Sequence, residues 1–121
     1  MASKKSIMVD GVEYIPKSDS TPAAKLDGLE YKIVRTYSAG VFAGYLKERK
    51  GQEVVLLQAR RLWSWQGAAS LSQMAQSGTS KPAQCKFPEA VDKIELLNAI
   101  EILDVTAAAQ ASIAEVPVWK S

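Results

Sequence analysis

The heptapeptide ARRLWSW, residues 59–65, places two arginines and two tryptophans within seven positions. In an extended strand, alternate side chains point to opposite faces. Arg61, Trp63 and Trp65 then form one row, and Arg60, Leu62 and Ser64 the other. A flat ring or guanidinium plane stacks on a purine base, a contact worth about 1–3 kcal/mol. A guanidinium fork also grips phosphate through two parallel hydrogen bonds. The row is therefore a candidate platform for a nucleotide. The same residues also fit a core tryptophan pair, with an arginine satisfying a nearby carboxylate such as Glu53.

Two further groups extend that chemistry. Arg35 and Tyr37 fall on a neighbouring predicted strand. If Arg35 and either Arg60 or Arg61 face one cavity, two cations match a diphosphate; otherwise they are surface charges of little energetic weight. The run WSWQGAASLSQ puts Gly67, Ala68 and Ala69 at the expected start of a helix, where backbone N–H groups and the dipole favour an anion. Ser70, Ser72 and Gln73 add donors there. Small residues at a helix start also serve close packing alone. Phe87, in a loop bounded by Pro82 and Pro88, either closes over a ligand or plugs the loop into the core.

The composition excludes several chemistries. The 121 residues contain no histidine and one cysteine, Cys85. Ser-His-Asp and Cys-His catalysis and HExxH zinc sites are therefore absent, and one cysteine cannot build a thiolate zinc site. No Walker pattern occurs. Glu89 with Asp92 and Glu101 with Asp104 have no accompanying motif and read as solvated. No catalytic residue, metal or cofactor is expected. Lys and Arg exceed Asp and Glu by 15 to 13, a net charge of +2. That is too weak for general nucleic-acid binding, which usually shows a broad basic patch. No apolar run reaches membrane-spanning length, the first residues lack a secretory signal pattern, and the single cysteine suits a reducing cytoplasm.

Elements that position these residues follow from pattern. Residues 6–17 read as a hairpin about Asp10 and Gly11, and residues 18–28 as a linker. The main domain is expected at 29–121, after an appendage at 1–28. Strands are expected near 31–37, from 41 to the turn at Gly51, and from 53 to about 63. The first puts Tyr31, Ile33, Arg35 and Tyr37 on one face. A helix follows at 67–78. Residues 91–106 mix helical and strand spacing and resolve best as strands at 92–96 and 99–104, broken at Asn98. Thr106 caps a second helix at 106–116, and Trp119 docks back. The expected class is α+β: a small antiparallel sheet with two helices, shallow enough for oligomerisation to supplement its core.

The runs YKIVRTYSAGVFAGYLKERKGQEVVLLQARRLWSWQGAASLSQMAQSG and KPAQCKFPEAVDKIELLNAIEILDVT, with the final VPVWK, resemble the first-described phage anti-Thoeris sponge family across residues 29–120. The most family-like pieces are VRTYSAGVFAGYL and ARRLWSWQGAASLSQ. The resemblance implies a protein of the host cytoplasm during infection that catalyses nothing. Such proteins sequester the cyclic ADP-ribose isomer that triggers Thoeris defence. It implies a small antiparallel sheet with helices, pairing into dimers with ligand pockets where two chains meet. In some members hexamers carry separate sites for cyclic oligonucleotides. The expected partners are thus a cyclic nucleotide and other copies of the chain, with no membrane and no long nucleic acid. Two rival readings use the same residues: a single-stranded nucleic-acid binder, and a protein-interaction module in which the tryptophans are an interface hot spot.

Overall fold

The computed structural model describes residues 7–9, 12–14 and 21–120. The expected hairpin is present as β1 (Ile7–Val9) and β2 (Val12–Tyr14), antiparallel, with Val9 opposite Val12. Its turn residues, Asp10 and Gly11, and the first three residues of the expected linker, 18–20, lie outside the described residues.

A five-stranded antiparallel sheet forms the centre, in the order β6-β5-β4-β3-β7. Its strands are β3 (Glu30–Thr36), β4 (Val41–Lys50), β5 (Glu53–Arg61), β6 (Val91–Leu96) and β7 (Ala99–Asp104). The helices are α1 (Leu71–Ser77) and α2 (Ala107–Glu115). The class is α+β, as composition and spacing suggest. The ambiguous stretch 91–106 is indeed two strands, with Asn98 between them in the left-handed region at φ 57°. Asparagine tolerates that conformation better than most residues.

Topology forces the sheet to curl. β6 and β7 lie on opposite edges, yet only Leu97 and Asn98 connect them. The Tyr37 N–H donates to the Asn98 carbonyl at 3.0 Å, and the Ala99 N–H to the Gln52 carbonyl at 2.9 Å. The β6–β7 corner therefore meets both the end of β3 and the tip of the β4–β5 hairpin. Two register shifts bend that hairpin, one near Gly44 and Gln58 (φ 51°) and one near Lys47. Extra residues in a ladder increase local twist. Gly44 suits the bend because a Cβ there would lie 2.9 Å from the Leu57 carbonyl oxygen.

Each face of the curled sheet carries its own core. The concave face holds Val34, Phe42, Val54, Leu56, Ala59 and Leu96, with Ile94 and Ile102 beside them. The other face packs Ile33, Ala43 and Val105 against Met74 and Ala75 of α1 and Ala109 and Ile113 of α2. Cys85 and Phe87 are buried in this second core. Alternation along β3 explains the division, since Ile33 and Val34 are neighbours that face opposite ways. α1 ends at Gly78, whose φ of 75° and contact with Ser112 of α2 leave no room for a side chain.

Residues 21–28 are bound to the domain. The Ala23 N–H donates to the Val105 carbonyl, the Ala107 N–H donates to the Thr21 carbonyl, and Ala24 exchanges two hydrogen bonds with the Gln110 amide. The part of the expected linker that is described is thus a strap across the β7–α2 junction. Trp119 docks as expected: its N–H donates to the Phe87 carbonyl, and the Lys86 ammonium lies 5.5 Å from its ring centroid.

Candidate functional site

The two adjacent arginines serve opposite faces of the sheet. Arg60 pairs with Ala43 and turns toward the helices. Its guanidinium donates to four carbonyls: Pro88 (3.1 Å), Phe87 (3.1 Å), Ile113 (2.9 Å) and Val116 (2.6 Å). The last two end α2, where unpaired carbonyls and the dipole favour a cation. The guanidinium also lies 5.5 Å from the Phe87 ring centroid. Burial pulls the Arg60 pKa down, yet arginine remains charged at any working pH.

Arg61 pairs with Phe42 and lies over its ring at 4.4 Å, on the concave side. Its Nη1 donates to the Ala39 carbonyl at 2.6 Å, bridging the turn between β3 and β4. Glu53, the carboxylate suggested by sequence, lies at the far end of the same strand. Arg61 thus keeps donors that no described residue uses.

The expected row of Arg61, Trp63 and Trp65 does not form. β5 ends at Arg61, where the Leu62 N–H donates to the Val41 carbonyl, and strict alternation stops. Trp65 packs against the helix-side core, while Trp63 is 63 % exposed. Ser64 instead bridges to Lys86. Tyr37 is 79 % exposed beside the β6–β7 corner. It lies just past the end of β3, in the bend 37–39, and so is not part of the strand that carries Tyr31 and Ile33.

The diphosphate arrangement also fails on a single chain. Arg35 is committed to Glu101 across β3 and β7 at 2.8 Å, and Arg60 to carbonyls. Glu101 and Asp104 are solvent-exposed, as expected, and form surface ion pairs with Arg35 and Lys32.

The helix-start anion seat is occupied by the chain itself. α1 begins at Leu71, four residues later than expected, and Ser70 is its N-cap. The Ser70 hydroxyl accepts from the Gln73 N–H, and the Gln73 side-chain oxygen accepts from the Ala69 N–H. Ser70 and Gln73 therefore act as caps, and Ser72 is exposed on the helix. Phe87 is fully buried, so it plugs the loop and offers no stacking face.

Three surface clefts lie elsewhere, and none includes a predicted ligand residue. One of about 430 Å³ lies under the 21–28 strap, lined by Lys25, Tyr31, Lys32, Gln76 and Thr106 among others. Burial pushes the Tyr31 phenol up to about 12. Burial opposes the Lys32 charge, but Asp104 and Glu30 outweigh it and hold its pKa above the ordinary value. Sequence reasoning passed over this cleft because Lys25 and Thr106 are remote in the chain and carry no motif. Among the described residues no cluster of side chains could hold a metal ion, and no helix is long and apolar enough to cross a membrane.

The fold is that of a small α+β protein with a curled antiparallel sheet and two short helices. The chain belongs to the family described as a domain of unknown function, DUF6948, which matches residues 29–113. No curated protein and no solved structure matches it.

Proposed function

We propose that this protein captures a cyclic adenine-nucleotide signal, a cyclic ADP-ribose isomer or a related cyclic nucleotide, and holds it without turnover in the cytoplasm of an infected bacterium. The observation that carries the reading is the rim around the 37–40 turn. There Arg61 lies 4.4 Å from the Phe42 ring centroid with unused donors, Tyr37 of the turn is the most exposed large hydrophobic side chain among the described residues, and Trp63, two residues beyond Arg61, is also exposed. Guanidinium and aromatic surfaces of this kind suit phosphate and adenine. On one chain the rim is open. A second copy would enclose it, in keeping with the resemblance of residues 29–120 to proteins that bind between subunits. Nanomolar capture requires about −12 kcal/mol, which favours an enclosed site.

Titration calorimetry with a cyclic ADP-ribose isomer tests this, followed by chromatography of the ligand released on heating. The expected result is tight binding and recovery of the intact ring. Arg61→Ala and Trp63→Ala should each weaken binding at least about tenfold, the loss of one stacking or charge-assisted contact. A linearised product, or binding only to single-stranded oligonucleotides with steep salt dependence, would count against the proposal.

A further inference from the structure

The outer edge of β6 has the chemistry of a self-complementary strand. Among the described residues β6 pairs only with β5, so its other edge offers unpaired backbone groups. The opposite edge strand, β7, is less available, because the hairpin tip at Gln52 reaches its first residue. Along β6, Ile94 and Leu96 turn to the concave core. Val91, Lys93 and Glu95 alternate with them and are exposed, and Leu97 follows at 63 % exposure. Val55 and Leu57 of β5, opposite Glu95 and Lys93, are only half-buried and continue this apolar surface.

We infer that β6 pairs antiparallel with β6 of a second copy about a two-fold axis through Ile94. A two-fold axis across two antiparallel strands must pass through a residue paired with its own copy, because a one-residue slip would put opposite faces together. The choices are then few. Centring on Asp92, Lys93 or Glu95 sets like charges directly opposite one another, which destabilises a strand pair. Centring on Ile94 places Lys93 opposite Glu95 of the second copy, and the reverse by symmetry. It also places Val91 opposite Leu97 of the second copy, twice. Within one chain Lys93 and Glu95 approach only to 3.9 Å and are largely exposed, so both are available. This register pairs Lys93 with Glu95 and covers both exposed apolar side chains, Val91 and Leu97, while Asp92 falls opposite Leu96.

The inference rests on the edge alone and is independent of the ligand reading. Charge exchange tests it by sedimentation velocity over a concentration series, with circular dichroism to check folding. Wild type should show a concentration-dependent dimer. Lys93→Glu and Glu95→Lys each turn two attractive cross-strand pairs repulsive. At about 0.5 kcal/mol for each sign, every single variant should weaken the dimer roughly thirtyfold. The double variant Lys93→Glu/Glu95→Lys restores opposite charges across the axis and should return the dimer to near wild-type strength. Wild type monomeric at every concentration would overturn the inference. So would single variants that dimerise like wild type, or a double variant as weak as the singles.

Discussion

Replacing Arg60 with methionine separates an arginine held by the fold from the one proposed to meet a ligand. Methionine keeps the bulk of the stem and removes every donor. Four carbonyls then lose the guanidinium: those of Pro88 and Val116, and those of Phe87 and Ile113, which keep the backbone N–H groups of Trp119 and Val116. Hydrogen bonds to a charged group are worth about 1.5–3 kcal/mol each, but part of the sum returns because the guanidinium no longer has to be held out of water. Arg60 is part-buried and its loss leaves neutral carbonyls, two of them still bonded, so the net cost is about 2–3 kcal/mol. For a domain of this size, about 4 °C of Tm accompanies each kcal/mol, so Arg60→Met should melt roughly 8–12 °C below wild type. Arg61→Met loses one hydrogen bond and the stack on Phe42, about 1–2 kcal/mol. Calorimetric or dichroism melting measures both. An Arg60→Met protein within about 1 kcal/mol of wild type, or an Arg61→Met protein that suffers more, would refute the assignment of Arg60 to the fold.

Alkaline titration should find Tyr31. Its folded phenol ionises near 12 because it is buried beside Tyr45, whereas an unfolded phenol ionises near 10. The folded state holds the proton longer, so this stability is whole below about pH 10 and is lost toward pH 12, at most about 2–3 kcal/mol. Urea midpoints should fall across that range, and the fall should be shallower in Tyr31→Phe; equal slopes would refute the linkage. Gly78→Ala sets a Cβ 2.2 Å from Ser112 Cβ at a φ of 75°, whereas Gly51→Ala, at 62°, meets open space. The first should cost about 2–4 kcal/mol more than the second in urea denaturation, since both share the left-handed penalty and only one forces α1 from α2.

Local pattern made most of the architecture legible. The helix cap at Thr106, the break at Asn98 and the long β4–β5 hairpin all rest on a few adjacent residues. What one residue touches far along the chain was not legible. The row of Arg61, Trp63 and Trp65 assumed that alternation continues past Arg61, but β4 begins at Val41, so pairing with it runs out at Leu62, and Ser64 turns to Lys86 instead. The anion seat assumed open N–H groups at 67–69, whereas Gln73 turns back to use one of them. Arg35 looked available until β7, more than sixty residues later, brought Glu101 beside it.

The arginine doublet shows why such a site is hard to read from sequence. Two identical cations sit side by side, and pleating sends them to opposite cores. Arg60 meets the carbonyl end of a helix, so the fold consumes its donors. Arg61 meets an aromatic face and a single turn carbonyl, so donors remain. The difference lies entirely in what the sheet's two faces are packed against. An arginine open to a ligand is therefore told apart by the hydrogen bonds it has not made. By that criterion the proposed site is at Arg61, beside the 37–40 turn, and not at Arg60.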